Sequence, residues 1–115
     1  MQYILMLYSE EGGWSRLSRT EREQAMAAYG AFNEDLGRRG ILKGVNRLQP
    51  SSTATRVRVT NGKSQVIDGP YAESKEQLGG YYVIDVPNLD EALACAARCP
   101  AASHGIVEVR PLWVA

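Results

Sequence analysis

DGPYAESKEQLGG, from Asp68 to Gly80, packs a reversal signal, charged residues of both signs and a glycine pair into one run. Glycine adopts dihedral angles closed to other residues, and proline fixes its own φ, so Asp-Gly-Pro predicts a sharp turn. The run leads into the apolar segment Gly80–Val86, GYYVIDV, which predicts a core strand. This stretch therefore connects a turn to the centre of a sheet.

The length and composition are typical of a globular protein. The 115 residues predict a single domain, 1–115, and the 13 basic and 13 acidic residues leave no net charge. This balance gives no indication of a nucleic-acid or membrane partner, and no segment approaches the ~20 apolar residues of a membrane span. The start lacks a basic leader and a cleavage site, so we expect a cytoplasmic location.

The first third of the chain predicts a strand and a long helix. Gln2–Tyr8 is a short apolar run typical of a buried strand, and a polar loop follows over Ser9–Ser18. Thr20 and Glu23 have the spacing of a capping box, which predicts a helix from Thr20 to about Arg39. Its apolar stripe comprises Met26, Tyr29, Phe32 and Leu36.

The middle of the chain predicts a strand and then a hairpin. Ile41–Leu48 is a strand interrupted at Gly44, where a bulge or a close approach of another backbone segment is expected. Thr55–Thr60 alternates strictly and returns through Ser64–Ile67 after Asn61-Gly62, the preferred two-residue hairpin turn. The alternation directs Arg56 and Arg58 to solvent or an interface, opposite Val57 and Val59.

The last third predicts a helix and a final strand. Asn88 or Asp90 can cap a helix from Leu89 to about Arg98, and Gly105–Val114 returns as a strand with Pro111 at an edge. The packing face of this helix is predicted to comprise Leu89, Ala92, Leu93 and Ala96. The two cysteines, Cys95 and Cys99, share a helical face, which does not indicate a disulfide framework.

This element order predicts a ferredoxin-like, split βαβ α+β sandwich with an inserted β-hairpin. Both helices would cover one face of the sheet. The other face, lined by residues such as Tyr81 or Tyr82, would be bare in a monomer, and a bare apolar sheet face usually finds a partner. We therefore expect a homodimer packed sheet against sheet.

The run DGPYAESKEQLGGYYVID resembles DGPFAETKEQLGGF, the signature of the DGPF domain within the YCII-related family. Tyr71 stands in place of the usual Phe, and Ser74 in place of the usual Thr. The start YILMLY and the ending VEVRPL, from Val107 to Leu112, are also similar to that family. The resemblance covers essentially the whole chain and implies a dimeric α+β barrel.

The family implies less about activity. YCII-related proteins resemble small enzymes for which a His and an Asp have been proposed as a catalytic pair, with the His on the first helix. The predicted first helix here has no histidine, and the only one, His104, follows the second helix, so that pair does not transfer. DGPF proteins are also similar in context to accessory partners of extracytoplasmic-function sigma factors, so the resemblance implies such a sigma factor as a regulatory partner.

Six residues are candidates for a site. Asp68 could act as a general base or ligand anchor, although turn-forming Asp is common. Lys75 could be its electrophilic or anion-binding partner, with Glu73 and Glu76 as tuning carboxylates, although a solvated loop is the plainer interpretation. Tyr71 is a further binding candidate, and Arg110 could reach the same pocket or pair with the loop acids or Glu108.

Two function hypotheses follow. The first is a homodimer that binds a small polar or aromatic molecule and performs acid–base chemistry without a cofactor. The second is a non-catalytic interaction module, such as a sigma-factor accessory. Neither a nucleotide-binding glycine motif nor a four-ligand zinc pattern is present, so we expect no cofactor and no metal.

Overall fold

The structure is a computed structural model that describes residues 1–114. Its helices and strands follow in the order β1 (Gln2–Glu10), α1 (Gly13–Arg16), α2 (Arg19–Arg38), β2 (Leu42–Arg47), β3 (Thr55–Thr60), β4 (Lys63–Asp68), β5 (Glu76–Asp85), α3 (Leu89–Arg98) and β6 (Ile106–Pro111). Short 3₁₀ turns cover Ser51–Thr53 and Pro100–Ser103. The expected mixed α+β architecture is confirmed.

Four strands form one antiparallel sheet in the order β2-β5-β1-β6. The two central strands, β1 and β5, are adjacent although they lie far apart in sequence, as a split βαβ order requires. The predicted irregularity at Gly44 is present as a register shift between Leu42 and Gly44. Pro111 ends the edge strand β6, where a missing N–H is tolerated.

The core lies between this sheet and the helices. Alternate residues of β1 and β5, including Leu5 and Ile84, are fully buried against α2 and α3. Tyr82 belongs to this buried face, where its ring lies 5.1 Å from that of Phe32. Between the two tyrosines offered for the uncovered face, only Tyr81 lies there, because side chains alternate along a strand.

The helix α2 begins differently from the sequence prediction. Ser18 is the N-cap, since its side chain accepts the Glu21 N–H at 3.1 Å while the Glu21 carboxylate accepts the Ser18 N–H at 2.9 Å. The predicted Thr20 and Glu23 box was therefore wrong by two residues. The segment predicted as a loop, Ser9–Ser18, also contains the end of β1 and the single-turn helix α1.

Both predicted helix stripes needed correction. Met26 is 66% exposed, because the part of α2 that contacts the core is its second half, around Phe32 and Leu36. In α3 the buried side chains are Ala92, Cys95 and Ala96, and the larger Leu89 and Leu93 are half exposed. Small residues on this face allow α3 to lie close to the sheet, and its cap is Asn88, one of the two candidates that the sequence offered.

Two free thiols lie on α3 and at its C-terminal end. Cys95 and Cys99 are almost fully buried, and they form no disulfide with each other. Burial raises the pKa of the Cys99 thiol, which keeps it protonated at neutral pH. These cysteines pack as small apolar side chains.

The hairpin β3–β4 forms a two-stranded sheet of its own. Its turn has φ of 53° at Asn61 and 75° at Gly62, which confirms the predicted two-residue connection. The sequence expectation for its faces was wrong in part. Val57 and Val59 are exposed, whereas Arg56 is partly buried and donates to the carbonyl oxygen of Gly69 at 3.0 Å.

Candidate functional site

Residues of the run Asp68–Gly80 line part of an open depression at one end of β1 and β5. The register pairs Glu10, the last residue of β1, with Glu76, the first residue of β5. The loop 69–75 before β5 is thereby held beside the end of β1. Two adjoining depressions of about 410 and 420 Å³ share Glu10, Ser74 and Lys75 as lining residues; together they are called the signature depression below.

The loop is shaped by its own hydrogen bonds. Gly69, with φ of 97°, makes the predicted turn, and its N–H donates to the carbonyl oxygen of Ala54 at 2.8 Å. The Gln77 side chain donates to the carbonyl oxygens of Ala72 and Ser74 at 2.8 and 3.1 Å. The Ser74 hydroxyl donates to the carbonyl oxygen of Glu76. These contacts fix the backbone conformation of the loop and thereby the position of Lys75.

Glycine 80 explains why the run ends in a glycine pair. A Cβ at this position would lie 2.9 Å from the carbonyl oxygen of Asn46 on β2. Only glycine therefore allows β5 to lie this close to β2 at the point where the strand leaves the signature. The Tyr81 hydroxyl, one residue on, accepts a hydrogen bond from the Asn46 amide at 2.8 Å.

The charges of the depression are arranged around Glu10. Its two carboxylate oxygens lie 3.2 Å from the Arg16 guanidinium and 3.9 Å from the Lys75 ammonium. Lys75 is 81% exposed, so this pair contributes little to stability and leaves the ammonium free to contact a ligand. Glu11 turns away to the other wall, where its carboxylate accepts the Ser51 N–H at 3.0 and 3.1 Å.

Three of the six predicted site residues line this depression. Lys75 and Glu73 line one part, and Lys75 and Glu76 line the other. Asp68 ends β4 outside the lining, and within residues 1–114 its carboxylate makes no hydrogen bond or ion pair; the turn is held by backbone atoms and Arg56 instead. The roles assigned to these residues stay predictions.

The other two candidates lie elsewhere. Tyr71 is exposed on the outside of the loop. Arg110 pairs with Glu108 at 2.7 Å, two residues away on the same face of β6, so the alternative pairing with the loop acids was wrong. Neither residue lines the depression.

Sequence reasoning missed Glu10 and the contribution of His104. His104 lies in the turn after the 3₁₀ segment Pro100–Ser103, as expected for a loop residue, yet it lines the same depression as Glu10 and Lys75. The signal for Glu10 was the antiparallel pairing itself, because the end of β1 must meet the start of β5 once these strands are neighbours. No sequence pattern places the His104 turn there.

A second polar cluster lies near the helix-covered side of the sheet. The Arg47 guanidinium lies 5.8 Å from the centre of the Trp14 ring, and Arg22 holds the short helix α1 by donating to the Trp14 and Ser15 carbonyl oxygens. Burial raises the pKa of the nearby Tyr29 hydroxyl to about 12.

No three His, Cys, Asp or Glu side chains converge as metal ligands in residues 1–114.

The family model of the YCII-related domain matches residues 1–114 of this chain. The chain belongs to the YCII-related domain family. Among curated proteins, this YCII-related chain is 41% identical over 114 residues to an uncharacterized protein of Rhizobium meliloti (strain 1021), covering 97% of this chain and 92% of that protein.

A solved structure resembles this YCII-related chain in fold. The 5-chloro-2-hydroxyhydroquinone dehydrochlorinase from Burkholderia phenoliruptrix AC1100, in complex with 2,5-dihydroxybenzoquinone, superposes with a TM-score of 0.58 over 98% of this chain and 94% of that one. The sequence identity is 14%, so the likeness is one of fold alone. No helix within residues 1–114 is long and apolar enough to span a membrane.

Proposed function

We propose that this YCII-related protein is a cytoplasmic homodimer, a dimeric α+β barrel, that binds a small polar or aromatic molecule in the signature depression. We further propose that acid–base chemistry takes place there without a cofactor. The observation that supports this function best is the convergence of Glu10, Lys75, Glu76 and His104 around one depression of about 420 Å³. Acids, a base and a histidine in one concave site are the groups that proton transfer needs.

Lys75 has the clearest role in this proposal. Its exposed ammonium can hold a carboxylate, or an oxygen on which negative charge develops. Glu10, 3.9 Å from the ammonium, orients it. This keeps for Lys75 the electrophilic role that the sequence suggested.

The position of the base shifts from Asp68 to the depression itself. Glu76 and His104 line it, whereas the Asp68 carboxylate does not. A general base must come within hydrogen-bond reach of the proton that it removes, so the lining residues are the better candidates. Asp68 then serves the turn through its backbone carbonyl oxygen, which accepts a hydrogen bond from Arg56.

Elimination of hydrogen chloride illustrates the class of chemistry. The resembling Burkholderia protein is a dehydrochlorinase. Such a reaction removes one proton and one chloride ion from the substrate and needs no external oxidant. A base and an oxyanion-stabilising cation are the two groups that it would require of this chain.

Ligand binding can be tested with 2,5-dihydroxybenzoquinone as the probe. Amide chemical shifts of the wild-type protein should move on titration at Ser74, Lys75 and Glu76. Lys75→Ala should weaken binding at least about tenfold, the scale of one charge-assisted contact. Lys43→Ala, an exposed lysine on β2, is the matched control and should leave binding unchanged.

Activity is measured separately, as chloride release from a chlorinated hydroxyhydroquinone. Wild-type protein should release chloride, and Glu76→Gln and His104→Gln should each slow release, with the base identified by the larger loss. Perturbations that cluster away from the depression, or binding that is indifferent to Lys75→Ala, would contradict the proposed site.

An interaction module is the second candidate, and one observation favours it. Trp113 is fully exposed after β6, where a large aromatic ring is otherwise disfavoured in water. A sigma-factor partner, which the family resemblance suggested, is tested by binding to a purified extracytoplasmic-function sigma factor. Binding that is lost in Trp113→Ala and kept in Lys75→Ala would favour this second function.

A further inference from the structure

The hairpin β3–β4 projects from the rest of the chain as an arm, defined here as residues Thr55–Ile67. It pairs with no strand of the four-stranded sheet. The Cα radius of gyration is 16.3 Å, whereas a compact chain of 115 residues would have about 13 Å. An isolated two-stranded hairpin is only marginally stable in water, so a projecting arm of this kind requires a surface to pack against.

One face of the arm is apolar and uncovered. Val57 and Val66 face each other across the two strands, and Val59 continues the same face. Their exposed fractions are 67%, 67% and 64%. Three neighbouring valines at this exposure form a contiguous patch, and such patches mark interaction sites.

The charge of the arm indicates its partner. Three basic residues, Arg56, Arg58 and Lys63, lie between Thr55 and Ile67, and the one acid of the two strands, Asp68, lies at the base of the arm. Because the whole chain is neutral, the remainder carries three excess negative charges. The body of an identical chain is therefore electrostatically complementary to the arm.

An acidic surface lies around the signature depression, near the base of the arm. Glu10, Glu11 and Glu73 line it, and only Lys75 among its lining residues in this part is basic. Pro70, which directly follows the arm and its turn, lines the same part. The base of the arm and this acidic rim are thus adjacent within one chain.

We propose that the arm of each protomer inserts into the body of a second copy of this chain, with its valine face buried against that body and with Arg58 and Lys63, which lie on the opposite face, directed at the acidic rim of that copy's signature depression. The exchange is reciprocal, as a two-fold dimer requires. It rests on the homodimer of the proposed function and adds a contact separate from the uncovered sheet face.

The reach of the arm gives this arrangement a geometric requirement. Six residues per strand extend about 20 Å at the rise of a β-strand. Since each arm begins beside its own depression, the two depressions must lie within about that distance across the two-fold axis. Each open depression would then be closed on one side by the partner's arm, so the site is incomplete in a single chain.

The arm is tested with the triple variant Val57→Thr, Val59→Thr and Val66→Thr. Threonine keeps the branched shape and the strand preference of valine but does not gain from burial. The dimer dissociation constant, measured by analytical ultracentrifugation, should rise at least about a hundredfold because both arms lose three apolar contacts. Val114→Thr, at an exposed tail position, is the control and should leave the constant unchanged.

Hydrogen exchange supplies a second measurement on the wild-type protein. Amides of residues 57–66 should exchange more slowly as protein concentration rises through the dissociation constant. Protection that does not depend on concentration would show that the arm packs on its own chain, and would overturn the proposal.

The outcomes separate this proposal from the proposed function. If wild-type protein dimerises and the triple variant keeps the same dissociation constant, the arm proposal is overturned and the dimer stands. If the wild-type protein is a monomer at all concentrations, the homodimer and the arm are both overturned. Binding of 2,5-dihydroxybenzoquinone is measured independently of either result.

Discussion

Glycine 105 shows how a single residue fixes the relation between two strands. A Cβ at this position would lie 2.1 Å from the carbonyl oxygen of Tyr8, closer than any real side chain allows. The residue directly precedes β6, whose pairing with β1 starts at Tyr8 and Ile106. A larger residue would therefore force the two strands apart where their ladder begins.

Alanine substitutions at two glycines should have opposite effects. Gly105→Ala should lower the free energy of unfolding by at least about 2 kcal/mol, because backbone rather than a flexible side chain must move. Gly30→Ala should raise it by about 1 kcal/mol, since its Cβ would meet nothing within 4 Å and glycine is a poor helix former. Urea unfolding measures both, and equal effects would contradict the assigned clash.

The helices α2 and α3 are linked at the element scale by Asp35. Its carboxylate contacts the guanidinium of Arg98 on α3 and lies 3.3 Å from Arg38 and 3.5 Å from Arg39. Partial burial favours the neutral acid, but the charge of Arg98 and the hydrogen bonds from the other arginines outweigh it. The pKa of Asp35 is therefore held below its ordinary value.

This linkage predicts a specific dependence on pH. A carboxyl whose pKa is lowered by folding stabilises the native state above its unfolded pKa, and that stabilisation disappears as pH falls through the lower folded value. Asp35→Asn should lower stability by a constant amount between pH 5 and 7, and the difference from wild type should shrink below about pH 4. Urea unfolding at several pH values measures it.

The matched control for that experiment is Glu34→Gln on the same helix. Glu34 is highly exposed and lies 3.9 Å from Arg38, so its removal should change stability little at any pH. An Asp35→Asn difference that persists undiminished at pH 2.5 would show that the side chain acts through packing and not through charge.

Elements were predictable from the sequence where local chemistry alone determines them. The pair Asn61-Gly62 specifies a turn, and the apolar runs of β1 and β5 specify two strands, without reference to distant residues. The cap of α3 was limited to Asn88 or Asp90, and the structure has Asn88. The helix start was misplaced because Ser18 and Thr20 both offer a hydroxyl three residues before a glutamate. Only the three-dimensional path of the chain decides between them.

The site was less predictable because it depends on contacts between distant segments. Glu10 reaches Lys75 through the pairing of β1 with β5, and His104 arrives from the turn before β6. The prediction of which hairpin face is exposed was wrong in part for the same reason. Alternation shows that Val57 and Arg56 point to opposite sides, but it does not show which side another surface covers.

The whole molecule leaves one face of its main sheet without a helix. Ile4, Met6, Tyr81 and Val83 share this face and are only partly buried in the single chain. Arg110 and Glu108 lie at its edge on β6. An apolar centre with a charged rim is the usual composition of a protein interface.

The proposed dimer, formed through this face, predicts different effects for two methionines. Met6→Lys would bury a charge in the interface and should convert the dimer to a monomer, whereas Met26→Lys, on an exposed part of α2, should leave it intact. Light scattering across the micromolar range gives the mass, and circular dichroism checks that both variants fold. A wild-type monomer, or a dimeric Met6→Lys, would rule out this interface.

The two buried thiols allow the local opening of the last helix, α3, to be measured. A maleimide reacts with the thiolate, and neither Cys95 nor Cys99 is accessible to one while α3 lies on the sheet. Labelling must therefore wait for α3 and the turn after it to detach. The labelling rate under native conditions, divided by the rate for the unfolded chain, gives the free energy of that partial opening without any mutation.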